Sequence, residues 1–146
     1  MTLQRFLADT GFRAMSRTHR AVLHLSGGRL GASALGMPVV ELHVTGRKTG
    51  RPRTAVLTAP IADSSRVVLV ASKGGDDRDP EWYRNLLAQP DIELVIGGQR
   101  RPMRARPASA EEKAELWPRV VAANKGYAGY QSRTRRDIPL VICEPR

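Results

Sequence analysis

A dense group of cations in this 146-residue chain lies in the stretch 46–53. Its charged residues are Arg47, Lys48, Arg51 and Arg53, and Thr49 adds a neutral donor. An arginine fork matches the oxygens of phosphate or carboxylate, lysine adds a mobile charge, and a turn exposes backbone amides beside them. The stretch therefore suits a phosphodiester or a carboxylate. A solvated hairpin tip has the same composition, and charge alone leaves both interpretations open.

A second candidate is the bend 71–75, in which Ser72, Lys73 and two glycines directly follow an apolar run. Glycines let the backbone approach a ligand closely, and the two side chains supply donors. The spacing matches neither the phosphate loop G-x-x-x-x-G-K-[ST] nor the dinucleotide fingerprint G-x-G-x-x-G. A plain turn at the end of a strand is the alternative interpretation.

Aromatic side chains occur beside both candidates. Trp82, Tyr83 and Asn85 follow Pro80, where a helix should begin, and a helix N-terminus favours anions. An aromatic pair at this position could pack against the planar ring of a ligand, or it could be part of the core. Tyr127 and Tyr130 fall in a glycine-containing stretch predicted to be a loop, 124–135. Their phenols could donate a proton or orient a carbonyl, or they could be rim aromatics.

Other chemistries are disfavoured. The three histidines have no metal-ligand spacing, so no metal site is expected, and no G-x-S-x-G motif is present. Cys143 is the only cysteine, which excludes an internal disulfide and favours a cytoplasmic protein. The sequence contains no run of about 20 apolar residues, which is the length that a membrane-spanning helix requires. The net charge of +10 predicts attraction to a polyanion, but 5% aromatic residues supply few stacking platforms for single-stranded nucleic acid.

The elements that position these residues are mostly strands. Period-two or continuous apolar runs predict six of them, at 39–44, 53–59, 66–71, 92–96, 100–106 and 138–143. A helix is expected from Pro80 to Ala88 with Asp79 as its cap, and another from Ser109, whose Ser-x-x-Glu spacing is that of a capping box. Residues 1–30 read as an amphipathic, basic helical region. The order predicts a mainly β (α+β) antiparallel barrel rather than a Rossmann sheet.

Taken in order, these motifs resemble the deazaflavin-dependent nitroreductase family of actinobacteria, which are split β-barrel oxidoreductases with an FMN-binding-like fold. The resemblance covers about residues 39–146, within a single expected domain, 1–146. It is carried by Val44-Thr-Gly-Arg-Lys-Thr-Gly-Arg-Pro-Arg-Thr54, Val70-Ala-Ser-Lys-Gly-Gly75, Pro80-Glu-Trp-Tyr-Arg-Asn-Leu-Leu-Ala-Gln-Pro90, Leu116-Trp-Pro118, Tyr127-Ala-Gly-Tyr-Gln131 and Ile138-Pro-Leu-Val-Ile-Cys-Glu-Pro145.

The resemblance implies an enzyme that binds coenzyme F420 and transfers its hydride to an acceptor, with FMN as the less favoured cofactor. The acceptor would meet Tyr127, Tyr130 and Ser72. The implied cofactor-binding residues are Arg47, Lys48, Thr49, Arg53, Thr54, Ala55, Val70, Ala71, Ser72, Lys73, Glu81, Trp82, Tyr83, Arg84 and Asn85. Because the coenzyme carries a phosphodiester and several carboxylates, a basic hairpin tip would suit its tail.

Two departures from the family affect the acceptor. Thr58 and Asn124 stand where the resembling nitroreductases carry tyrosines, so we expect a quinone or enone as acceptor and nitroaromatics only as promiscuous substrates. The expected assembly is a monomer or weak dimer. Three alternatives stay open: a non-catalytic carrier of F420, FMN or a fatty acid; a basic nucleic-acid protein, which is the least favoured; and a helical region 1–30 that lies on the inner membrane surface.

Overall fold

The computed structural model describes residues 33–34 and 36–146, so the predicted helical region 1–30 lies outside the described residues. Eight strands form one antiparallel sheet in the order β1-β2-β6-β7-β8-β5-β4, with β3 paired to β2. The strands are β1 (Ser33–Ala34), β2 (Met37–Thr45), β3 (Pro52–Thr58), β4 (Ile61–Ala62), β5 (Val67–Val70), β6 (Asp91–Ile96), β7 (Gln99–Pro107) and β8 (Leu140–Pro145). All six predicted strands are present, and the two additional ones, β1 and β4, have two residues each.

Within residues 33–34 and 36–146, three α-helices accompany the sheet: α1 (Glu81–Ala88), α2 (Ala110–Ala123) and α3 (Gly126–Ser132). The first two match the predicted helices, and the capping box at Ser109 is formed in both directions. Helix α3 corrects the prediction of a loop over 124–135. Its two glycines lower helix propensity, but Tyr127 is buried against a core and Asn124 Oδ1 accepts from Gly126 N at 2.9 Å.

The start of α1 also differs from the prediction. Pro80 is its N-cap and makes no side-chain cap hydrogen bond, while the expected capping residue, Asp79, accepts from Arg136 Nη1 at 3.0 Å. A charge-assisted bond to arginine is stronger than a bond to a neutral amide, and this explains the different partner. The predicted two-residue turn at Gly97-Gly98 is present, with φ values of +57° and +79° that suit glycine.

The sheet separates two apolar cores. Three strands, β6, β7 and β8, lie between β2 and β5 in the sheet order. Leu42 of β2 and Leu69 of β5 nevertheless both belong to the first core, so the sheet curls around this core. The second core lies between the outer face of β5 and β8 and helices α2 and α3. Because successive side chains of β5 enter different cores, this strand has an unbroken apolar sequence.

Cys143 is fully buried in the first core. Burial raises the pKa of its thiol to about 12, so the thiol stays protonated at neutral pH. No helix of the described residues is both long and apolar enough to cross a bilayer.

Candidate cofactor and acceptor site

The hairpin tip, residues 46–51 with the first residues of β3, connects β2 to β3. Gly46 N donates to Arg51 O and Gly50 N donates to Gly46 O, each at 2.8 Å. Thr49 Oγ1 accepts from Arg51 N at 3.2 Å, so this predicted cofactor donor also closes the turn. Gly50 has a φ of +70°, in the region that favours glycine.

Arg47 joins the hairpin tip to helix α1. Its Nη1 donates to Glu81 Oε2 and to Asn85 Oδ1, both at 2.8 Å, and its backbone N donates to the same Asn85 oxygen at 3.1 Å. Asn85 is only 6% exposed. The hydrogen bond from Arg47 lowers the pKa of Glu81. The structure therefore brings Arg47, Glu81 and Asn85 together, and they bind one another.

Lys48, Arg51 and Arg53 differ from Arg47. They are exposed, and no carboxylate of residues 33–34 or 36–146 forms an ion pair with any of them. The hairpin tip thus presents three exposed cations that form no ion pair among the described residues, although the charge of Lys48 also helps to lower the pKa of Glu81. Such a surface keeps a positive local potential available for an anionic ligand.

The predicted cofactor residues of β3 do not share one face. Arg53 and Ala55 are registered with the core-facing residues Val44 and Leu42. Thr54 is registered with His43 and points to the opposite face, where its Oγ1 lies 3.5 Å from His43 Nδ1. Because successive side chains of a strand point to opposite faces of the sheet, three consecutive residues cannot all face the same side.

Helix α1 presents its aromatic pair mainly to the first core. Tyr83 is buried, and burial is the main cause that raises the pKa of its phenol. Trp82 is partly buried and meets Tyr83 edge to face, with ring centroids 6.4 Å apart. Arg84 is exposed and lies 3.8 Å from Glu81. Of the two rings, Trp82 is the better placed to reach a ligand.

The predicted bend after β5 folds as a short 3₁₀ turn, Lys73–Gly75, with Ser72 at its start. Val70 and Ala71, which precede it, are buried. Gly75 has a φ of +86°, and a Cβ atom there would lie 2.7 Å from the carbonyl oxygen of Tyr130. The bend therefore packs directly against helix α3, and glycine is needed for this approach.

The two predicted acceptor tyrosines have different surroundings. Tyr127 is 5% exposed, and its hydroxyl lies 3.1 Å from Thr58 Oγ1 and 3.7 Å from Met37 Sδ. Burial is the main cause that raises its pKa. Tyr130 is partly buried, packs edge to face on Tyr127 at 6.1 Å, and carries the Arg133 guanidinium 5.6 Å from its ring centre. Among the described residues, no partner bonds the Tyr130 hydroxyl.

The predicted residues thus form two groups. The hairpin tip and α1 make a cationic group, whereas the bend, which begins at Ser72, packs against helix α3, which carries both tyrosines. The chain segment 72–85 passes from one group to the other. A depression of about 570 Å³ lies beside the second group, lined by Asp77 and residues 132–136. Within residues 33–34 and 36–146, no three metal-ligating side chains are grouped to hold a metal ion.

Arg136 is a residue that the sequence reasoning missed. Its guanidinium donates both to Ser72 O of the bend and to Asp79 Oδ1. The only sequence signal was its place in a basic run, Arg133–Arg136, just before the last strand. That run resembles an ordinary solvated loop.

An antiparallel barrel with a cationic hairpin tip and a glycine-containing bend belongs to the class of small β-proteins that can hold an anionic cofactor. The F420H(2)-dependent quinone reductase family model matches residues 15–145. The chain belongs to the F420H(2)-dependent quinone reductase family. This confirms the prediction of an F420-dependent oxidoreductase.

Individual relatives agree with the family. An F420H(2)-dependent quinone reductase of Mycobacterium tuberculosis (strain ATCC 25618 / H37Rv) is 40% identical over 150 residues, which cover 100% of both chains. A solved F420-H2 dependent reductase, FDR-A, is 37% identical with a TM-score of 0.67, over 73% of this chain and 94% of that one. Another solved chain, described as a domain-swapped dimer, is 30% identical with a TM-score of 0.69, over 98% of this chain and 100% of that one.

Proposed function

We propose that this protein binds reduced coenzyme F420, with the anionic tail of the coenzyme at the hairpin tip, and that it reduces a quinone. The supporting observation is that Lys48, Arg51 and Arg53 have no carboxylate partner among the described residues. The donor set fits the group, since three exposed cations outside any ion pair of the described residues suit a phosphodiester and carboxylates. When bound, the reduced coenzyme supplies a hydride from a carbon of its deazaflavin ring.

The chain's own part in the reaction is binding, orientation and proton supply. Trp82 and the bend would border the ring of the coenzyme, and Arg47 would hold helix α1 in place beside it. Reduction of a quinone to a hydroquinone consumes one hydride and one proton. Tyr130 is the better phenol to donate to the acceptor oxygen, because the Tyr127 hydroxyl is already paired with Thr58. Tyr127 would then support the Tyr130 ring.

The oligomeric state and location belong to the same proposal. A monomer or weak dimer is proposed, and the solved relative described as a domain-swapped dimer gives a reason to measure this by light scattering. Contact between residues 1–30 and the inner membrane face, in a cytoplasmic protein, stays a prediction. Co-sedimentation of full-length and helix-deleted protein with anionic liposomes tests it, and equal partitioning would reject it.

The test of function is a fluorescence titration with oxidised F420 in parallel with FMN, followed by oxidation of reduced F420 with menadione as acceptor. We expect saturable binding of F420, weaker binding of FMN, and loss of reduced coenzyme at a rate that depends on menadione. Binding without turnover would support the carrier alternative. Affinity for nucleic acid with no effect on F420 fluorescence would reject the assignment.

A further inference from the structure

Arg136 lies between α3 and β8, and its side chain is only 16% exposed. Its Nη2 donates to Ala71 O at 3.1 Å and to Ser72 O at 2.8 Å, and its Nε donates to Asp76 O at 2.8 Å. Its Nη1 donates to Asp79 Oδ1 at 3.0 Å. One guanidinium therefore holds both ends of the bend 71–76 and the approach to helix α1.

These bonds decide which way the peptide groups of the bend face. In a trans peptide, the carbonyl of one residue and the N–H of the next point in opposite directions. Since the carbonyls of Ala71 and Ser72 point at Arg136, the N–H groups of Ser72 and Lys73 point away from it. The amides of the bend are thus directed to the side opposite the guanidinium.

The backbone of the bend has the form that collects such amides. Ser72 is right-handed, with φ −80° and ψ −36°, and Lys73 follows with a φ of +46°. A right-handed residue followed by a left-handed one brings consecutive N–H groups together into a concavity that binds an anion or a partly negative oxygen. The conformation of Lys73 is unfavourable for a residue with a Cβ atom, so neighbouring contacts must hold it.

The opposite flank of the bend is closed by α3. Gly75 has no room for a Cβ atom beside the carbonyl of Tyr130, and Arg133 Nη1 donates to Gly74 O at 3.4 Å. A ligand for the amides must therefore approach from the side that faces away from both Arg136 and α3.

The charge of Arg136 is matched nearby, because Asp79 forms an ion pair with it. The exposed cations of the hairpin tip are therefore better placed than Arg136 to attract an anionic coenzyme. What Arg136 adds is geometry: a planar fork with enough donors for three carbonyls and a carboxylate.

We propose that Arg136 is a positioning residue, which holds the bend so that the amides of Ser72 and Lys73 meet an acceptor oxygen of the bound coenzyme. The inference rests on the proposed function, since it needs F420 to bind here. It assigns Arg136 a role that acts through the bend.

The test compares wild-type protein with Arg136→Ala, Arg136→Lys and Arg106→Ala in a fluorescence titration with oxidised F420. We expect Arg136→Ala to weaken binding roughly 10- to 100-fold, the order expected when two backbone hydrogen bonds to the ligand are lost. Arg136→Lys keeps the charge but loses the fork, so it should lose most of the same affinity. Arg106→Ala removes an arginine whose ion-pair partners, Glu112 and Glu144, lie outside the bend, and it should bind like wild type.

Two further readouts separate positioning from simple structural support. Low concentrations of guanidinium chloride should restore part of the affinity of Arg136→Ala, whereas equal potassium chloride should not. Amide hydrogen exchange in a peptide covering 71–76 should slow when F420 is added to wild type, and it should slow much less in the variant.

The outcomes are separable. If Arg136→Lys or a folded Arg136→Ala binds F420 like wild type, the positioning role is overturned while the proposed function stands. If Arg136→Ala does not fold, the lysine variant decides the question. If wild type itself neither binds F420 nor shows slowed exchange, the proposed function fails, and this inference fails with it.

Discussion

Two regions of this protein are rich in arginine, and they differ in whether these arginines form ion pairs. On the face formed by β6, β7 and α2, several cations have a carboxylate partner. The pairs are Arg100 with Glu93, Arg104 with Asp91 at 3.3 Å, Arg106 with Glu112 at 2.7 Å and with Glu144 at 3.2 Å, and Lys113 with Asp137. At the hairpin tip, Lys48, Arg51 and Arg53 have no such partner among the described residues.

The difference teaches that the position of the carboxylates, and not the number of arginines, separates a candidate binding surface from a structural one. Exposed ion pairs contribute only about 0–1 kcal/mol each, but they cancel the local field. Unmatched cations repel one another and are retained at some cost to the fold. Their presence at the tip is therefore easier to explain by a ligand than by stability.

The largest expected effect is on coenzyme binding by the double variant Lys48→Ala/Arg53→Ala. Each charge-assisted bond is worth about 1.5–3 kcal/mol, so the dissociation constant for F420 should rise at least about 100-fold. The matched control is Arg100→Ala/Arg104→Ala, which removes the same formal charge from the paired face. Fluorescence titration of both proteins at fixed ionic strength compares their affinities for F420. Equal losses of affinity would show that the hairpin tip contributes only net charge and no specific contact.

The same contrast between paired and free groups applies to the two acceptor-side phenols. We expect Tyr130→Phe to lower turnover with menadione by roughly 100-fold if its phenol donates the proton. Tyr127→Phe should lower it much less, because the Tyr127 hydroxyl already bonds Thr58. Steady-state rates at saturating reduced F420 test this, with unchanged F420 affinity as the control. A larger effect at Tyr127 would reverse the assignment.

A pair of glycines separates close packing from simple turn geometry. Gly75→Ala places a Cβ atom 2.7 Å from Tyr130 O at a φ of +86°, so clash and backbone strain together should cost about 2–5 kcal/mol of stability and weaken F420 binding. Gly97→Ala also has a positive φ, but nothing lies within 4 Å of the added atom. It should cost about 1–2 kcal/mol and leave binding intact. Chemical denaturation measures the loss of stability, and fluorescence titration measures F420 affinity. Unchanged F420 affinity in Gly75→Ala would show that the bend is not part of the cofactor site.

The smallest expected effect concerns acid stability of the paired face. The hydrogen bond from Arg106 lowers the pKa of Glu112 from 4.5 to about 2. A carboxylate whose pKa is lower in the folded state stabilises the protein above the unfolded value, and this support is lost as the pH falls from about 4.5 toward 2. Glu112→Gln should therefore melt earlier than wild type at neutral pH, and the gap should close by about pH 2. F420 affinity at pH 7 should not change.

Much of the fold was predictable because its signals are local. Strand periodicity, the Gly97-Gly98 turn and the Ser109 capping box each depend on residues a few positions apart. Helix α3 was missed because its stability comes from burying Tyr127, a contact with distant parts of the chain. The predicted region 1–30 and the domain limits stay predictions.

The candidate site was predictable in composition but not in arrangement. The spacing of cations in 46–53 indicated an anion site, and family resemblance supplied the other segments. That Arg47 is bound by Glu81 and Asn85, more than 30 positions away, could not be read from residue types. Nor could the role of Arg136, whose partners are mostly backbone carbonyls, since every residue carries one.

The buried thiol of Cys143 has a practical consequence for studying this protein. It is the only cysteine in the chain, it is fully buried, and its raised pKa keeps it in the unreactive form. A cysteine introduced on the exposed side of the β2–β3 turn would be the only thiol open to maleimide reagents. A single dye could then report ligand arrival in real time, without first removing a native side chain from the interior.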